Sequence, residues 1–136
     1  MNKIVLDTNI LISALLSPNG NPAKILALVA VSDEIQLFYS AEILSEYRRA
    51  LSYPRLSIAE EKKLRVVLLI EAFGTLIEPP TSTMPLPDEC DRIFYDTAHE
   101  SGAILVTGNT KHYPVEDFIK TPSGFLDMLI SDDLTL

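Results

Sequence analysis

At 136 residues with 47% hydrophobic side chains, the chain has the size of a single domain burying about two thirds of its unfolded surface. One cysteine, Cys90, excludes an intrachain disulfide and points to a reducing, cytoplasmic compartment. The net charge of −8 argues against broad electrostatic capture of nucleic acid, and apolar stretches such as residues 66–70 are too short to cross a bilayer.

The first strand is expected almost at Met1, with no secretory leader ahead of it. Ile4, Val5 and Leu6 form a short β-rich run suited to burial on both faces. Asp7 follows at its carboxyl end, Thr8 and Asn9 can cap the next element, and a helix is expected over 10–16. A carboxylate placed just beyond a buried strand stands where open α/β sheets bind ligands, and it is costly there unless a cation or hydrogen bonds compensate it. Asp7 therefore reads two ways, as a helix cap or as a catalytic group.

The turn Ser17-Pro-Asn-Gly-Asn-Pro22 leads to a helix capped by Asn21 and running to about Val31. Ile35 to Tyr39 is a strand, Ser40 an N-cap, and a helix continues through Leu51 until Tyr53-Pro54 breaks it. Ser57-Ile-Ala-Glu60 has capping-box spacing for a long helix over 58–72. A strand is expected over 75–77, then an irregular crossing from Pro79 to Pro87, where four of nine residues are proline. Asp91 opens a helix that Gly102 terminates, 103–106 is a strand, and Ser123 caps a last helix over 124–130. Strands alternating with helices imply an α/β/α sandwich, one domain over 1–136 with a mainly parallel central sheet.

Further polar positions can converge on Asp7. Glu46 sits at the edge of the stripe Ile43, Leu44, Tyr47, Leu51, with Glu42 and Ser45 further toward solvent. Asp91 stands at a helix start, where capping and the dipole favour a carboxylate and would also suit a metal ligand. Thr107-Gly108-Asn109 follows the 103–106 strand, and Asn109 offers a neutral oxygen. Carboxylates on separate elements suit hard cations such as Mg²⁺ or Mn²⁺. Zinc fits poorly, with one cysteine and two separated histidines, His99 and His112. There is no nucleophile elbow and no Gly-rich phosphate loop. Asp7-Thr-Asn9 lacks the second acid of an Asp-x-Asp phosphatase.

Taken in order, Val5-Leu-Asp-Thr-Asn-Ile-Leu11, Ser40-Ala-Glu-Ile-Leu-Ser-Glu-Tyr47, Asp91-Arg-Ile-Phe-Tyr-Asp-Thr-Ala98 and Leu105-Val-Thr-Gly-Asn109 resemble the PIN-domain family along essentially the whole chain, nearest its VapC-type toxin branch. The resemblance implies an α/β/α fold and a Mg²⁺- or Mn²⁺-dependent endoribonuclease leaving 5′-phosphate and 3′-hydroxyl ends. It also implies a cognate protein antitoxin and a homodimer. Asp7, Glu46 and Asp91 match the first three family acids, and Asn109 stands where a fourth acid is usual. Asp88 is the reserve ligand. Asp96, about 140° around the helix from Asp91, is peripheral, and Glu89 is expected to face solvent.

Asn9 matches a position that orients a carboxylate or binds substrate, and Thr107 joins it as a substrate-contact candidate. Arg48, Arg49 and Lys111 are candidates for phosphate contacts; six of the eleven basic residues cluster over 48–65. His112 can touch substrate or make a structural hydrogen bond. The apolar circumference at Leu64, Val66, Val67, Leu68, Leu69 and Ile70 is expected to be buried in full, with a dimer or antitoxin contact as the alternative. Two other functions compete: a PIN-like module that binds RNA or protein without cutting, and a Mg²⁺-dependent phosphatase or phosphotransfer domain with Asp7 as nucleophile.

Overall fold

The computed structural model describes residues 2–134. Five strands, β1 (Asn2–Leu6), β2 (Ile35–Tyr39), β3 (Gly74–Leu76), β4 (Ile104–Val106) and β5 (Ile119–Lys120), form one sheet in the order β3-β2-β1-β4-β5. All four pairings are parallel. Among the described residues there are six α-helices, α1 (Thr8–Leu16), α2 (Asn21–Val31), α3 (Ala41–Leu51), α4 (Glu60–Phe73), α5 (Arg92–Ser101) and α6 (Pro122–Leu134); the first five lie in the connections between strands and α6 follows β5. Ile4, Val5, Leu6, Leu37 and Leu105 are wholly buried, as a sheet covered on both faces requires.

The strand order fixes where a site can form. From β1 the chain steps to β2 and β3 on one side, then returns to lay β4 and β5 on the other. Neighbouring connections thus diverge between β1 and β4, and the crevice beyond their carboxyl ends is the position of ligand sites in such sheets. Leu6 pairs with Val106 at that end, so Asp7 and Thr107 leave the sheet side by side.

Several helix starts differ from expectation by their capping chemistry. The first helix begins at Thr8, with Asp7 itself in the N-cap position but its side chain accepting no cap hydrogen bond. The second begins at Asn21 behind Gly20, one residue early. The capping box at Ser57 does not form: Ser57 is left-handed (φ 50°) after a 3₁₀ turn over Pro54–Leu56, and α4 starts at Glu60. Thr121, not Ser123, accepts from the Gly124 amide at 3.0 Å to open the last helix. By contrast, Ser40 caps α3 through the Ile43 amide (3.1 Å), and Gly102 ends α5 in the left-handed conformation (φ 68°).

β3 starts one residue before the expected strand because Gly74 joins it directly to α4. A Cβ at Gly74 would lie 2.5 Å from the Ile70 carbonyl and 2.7 Å from the Tyr39 ring, so only glycine passes there. β5 has no counterpart among the expected strands; two residues are too few for a periodicity signal. The apolar face of α4 is also only partly covered: Val66, Val67 and Ile70 are buried, whereas Leu64 and Leu68 are 59% and 54% exposed.

Candidate active site

Asp7 is 7% exposed, yet it is well compensated. Its amide donates to the Val106 carbonyl at 3.0 Å, tying it to the end of β4. Its Oδ2 accepts from the Thr107 hydroxyl and from the Tyr113 hydroxyl, each at 2.9 Å. No hydrogen bond among the described residues engages Oδ1. A carboxylate held on one edge with its second oxygen free is arranged as a ligand, and the cap reading of its side chain fails.

Thr107 is the hub of this arrangement. It is fully buried, and its hydroxyl also accepts from the Asn109 amide (3.0 Å) and the Asn9 side-chain amide (3.5 Å). Substrate cannot reach it, so its place among substrate-contact residues is corrected: it orients Asp7. Asn9 is a clamp, since its Oδ1 also accepts from the Gly108 amide at 3.0 Å and fastens α1 to the turn after β4.

Asp91 lies across from Asp7, at the end of a 3₁₀ turn over Glu89–Asp91 that leads into α5. Its side chain makes no cap, and its Oδ2 is buried with no hydrogen-bond partner. Burial chiefly, and then the Asp7 charge, push its carboxyl up to about 6. His112 opposes that rise from 3.4 Å, too poorly aligned to complete a hydrogen bond. Burial, followed by the charges of Asp7 and Asp91, raises the Tyr113 hydroxyl far above its ordinary value, which keeps it a donor and places it facing both acids. Burial and Asp7 do the same to Tyr47, whose hydroxyl donates to the Leu6 carbonyl and fixes the strand end beneath the site.

The remaining acids are placed differently. Glu46 is half-buried at the edge of the α3 stripe while Glu42 and Ser45 are exposed, as the helical spacing indicates. Its carboxylate is bound bidentately by Arg49, with one contact at 2.9 Å, although its charge still reaches Cys90 beside Asp91. Asp88 caps the 3₁₀ turn through the Cys90 amide (2.9 Å) and is exposed. Asp96 is buried on the far side of α5, accepting from the Ser82 amide at 3.0 Å; Glu89 is exposed and paired with Arg92. Among the described residues, no three acidic, histidine or cysteine side chains form a ready-made metal cage.

Asp7 and Asp91 nevertheless fit a hard divalent ion. Each keeps an oxygen without a hydrogen bond, and their mutual repulsion is what a cation between them relieves.

Asn109 donates its side-chain amide to His112 Nε2 (2.9 Å), an orientation that leaves the ring proton on Nδ1, toward Asp91. Lys111 is exposed beside this pair. Arg48 instead pairs with Glu71 of α4 (3.1 Å) in the groove between the two helices. The sequence reading passed over Tyr113. The one available signal was a tyrosine shortly after the Thr107 turn, and nothing in its spacing fixes where the hydroxyl points.

A family model for the PIN domain matches residues 3–111. An uncharacterised protein of Methanocaldococcus jannaschii, MJ1680, is 37% identical over 110 residues, covering 79% of this chain and 70% of that one. Among solved structures, a chain in the crystal structure of VapBC2 from Rickettsia felis, bound to a DNA fragment from their promoter, superposes with a TM-score of 0.56. That match is 19% identical and covers 82% of this chain and 93% of the other. No helix among the described residues is long and apolar enough to cross a membrane. With the first strand, the acid-bearing helices and the Thr107 turn all inside the matched stretch, the chain belongs to the PIN-domain family.

Proposed function

We propose that this PIN domain is a Mg²⁺- or Mn²⁺-dependent endoribonuclease, the toxin of a pair with a cognate protein antitoxin. The observation that carries the reading is Asp7, buried at the switch point, braced on Oδ2 and faced by Asp91, whose buried Oδ2 makes no hydrogen bond and has the His112 ring at 3.4 Å. Asp7 and Asp91 would hold the ion, and Glu46 would join them on leaving Arg49. Once bound, such an ion supplies Lewis-acid stabilisation of the charge that builds on a phosphate under attack by water.

The chain's own residues do the rest. Thr107 and Tyr113 fix the orientation of the Asp7 carboxylate, so no reorganisation is needed as charge develops. Asn9 and Asn109 hold the turn that carries them. Lys111, exposed next to Asn109, and Arg49, once freed, would contact backbone phosphates; attack of water on phosphorus with cleavage of the P–O3′ bond, the leaving oxygen taking up a proton, would give 5′-phosphate and 3′-hydroxyl ends. Arg48 stands further off, in its pair with Glu71. Exposed Leu64 and Leu68 supply an apolar face for the antitoxin or for a second copy in a cytoplasmic homodimer. The VapBC2 complex supports the antitoxin partner by likeness of fold.

A second reading, a PIN module that binds RNA without cutting, is favoured by the Glu46–Arg49 pair and by the neutral Asn109. Cleavage of a fluorescent single-stranded RNA panel with Mg²⁺ or Mn²⁺, against EDTA and Asp7→Asn, decides between them. Metal-dependent cutting lost in the variant supports the nuclease; RNA binding with no cutting by folded protein supports the module.

A further inference from the structure

Two consecutive residues reach the two acids from one turn. The 3₁₀ turn over Thr110–His112 runs into Tyr113, whose hydroxyl donates to Asp7. The residue before it, His112, brings its ring Nδ1 to 3.4 Å from Asp91 Oδ2. The turn is fastened at its start: the Asn109 amide donates to the Thr107 hydroxyl at 3.0 Å, and the His112 amide to the Asn109 carbonyl at 3.1 Å. Backbone position therefore sets both approaches, while the half-exposed ring has room to rotate.

Asp91 Oδ2 has a use for that approach. It is sealed from solvent and makes no hydrogen bond, so the 15% exposure of the side chain lies elsewhere on it. An ionised oxygen buried without a donor is costly, and water does not reach this one. The donor must come from the protein, and His112 Nδ1 stands in range. Asn109 settles which ring atom can serve. Its side-chain amide donates to Nε2 at 2.9 Å, so a neutral ring has its one proton on Nδ1.

We propose that His112 is a positioning residue for Asp91: with Asn109 holding its tautomer, a small swing of the ring places Nδ1–H on Oδ2. The carboxylate is then held on its buried edge, as Thr107 and Tyr113 hold Asp7. Oδ1 is left for an ion, a step that rests on the nuclease reading; the brace itself belongs to the metal-free chain. A ligating carboxylate gains a fixed orientation from such a partner. Contact with substrate through Nε2 is the rival role, and Asn109 already occupies that atom.

The test starts with ring-nitrogen NMR of the metal-free full chain at about pH 8.5, where an imidazole ordinarily carries one proton. His112, told apart from His99 by its loss in His112→Asn, should show a protonated Nδ1 and a bare Nε2. Asp91→Asn should shift the Nδ1 signal. A proton on Nε2 in the parent chain, or an Nδ1 signal indifferent to Asp91→Asn, overturns the proposal.

Calorimetric titration with Mn²⁺ gives a second readout. His112→Gln keeps a donor near the Nε2 position and removes the one at Nδ1, whereas His112→Asn keeps an amide N–H near Nδ1. His112 is exposed, so both variants are expected to fold. Mn²⁺ should bind His112→Gln roughly tenfold more weakly than the parent, the scale for partners of a ligating group, with His112→Asn recovering most of the loss. Equal weakening in both variants, no weakening, or recovery in His112→Gln alone overturns the brace. A parent chain that binds no Mn²⁺ sinks the nuclease reading instead, and the ring spectra then decide the brace by themselves.

Discussion

The Tyr113 hydroxyl donates to Asp7 Oδ2 at 2.9 Å, joining residues 106 apart in sequence. Because Thr107 donates to the same oxygen, the two side chains act as one brace on a buried charge. Tyr113→Phe should cost about 1.5–3 kcal/mol of stability, the usual range for a hydrogen bond to a charged group. RNA cleavage should fall mainly in kcat, because orientation is lost and substrate contacts are kept. Urea denaturation and steady-state cleavage on the same samples check both. Unchanged kcat would show that Thr107 braces Asp7 unaided.

Asp91 sets a pH dependence on the metal-free protein. Its folded pKa of about 6 lies above the ordinary 3.8, so the folded state holds that proton more tightly. Its contribution to stability is full below about pH 4 and is lost as pH rises through about 6. In EDTA, Asp91→Asn should therefore be more stable than the parent chain near pH 7.5, with the gap closing toward pH 4. Thermal melts across that range test this; a gap independent of pH would remove the Asp7–Asp91 repulsion from the account.

Arg49 engages both carboxylate oxygens of Glu46. Arg49→Gln should tighten Mn²⁺ binding by roughly two- to fivefold, the scale of an exposed pair. Glu46→Gln should weaken it. Calorimetric titration with Mn²⁺ separates these, and weaker binding in Arg49→Gln would mean that the arginine positions Glu46 for the ion.

Gly74 is a steric prediction. Gly74→Ala places a methyl against the Ile70 carbonyl and the Tyr39 ring, which should cost about 1–3 kcal/mol of stability by overpacking. A shifted urea midpoint with cleavage intact in the remaining folded protein is the expected result.

The strands β1 and β2 and the helix α3 were legible because their signals are local: a β-branched run, a serine cap, a clean 3.6-residue stripe. The parallel sheet followed from alternation alone. Two kinds of feature were not legible. Asp96 looks like any surface acid of an amphipathic helix, yet α5 buries 94–98 continuously because the Pro-rich crossing folds over its outer face. Tyr113 and the Arg49 pairing depend on where side chains arrive after packing, and sequence spacing does not encode that. Ser57 shows the converse: a local motif was present, but the chain turned left-handed before the helix could use it.

The pairing of β1 with β4 bears on the order of events during synthesis. Asp7 leaves the ribosome about a hundred residues ahead of Thr107 and Tyr113, which must also emerge before its carboxylate is held. The β1–β4 pairing spans about a hundred residues, a non-local contact that forms slowly. A nascent chain therefore carries its first acid without the brace that shapes it. The site is thus shaped only after the chain has returned to lay β4 beside β1.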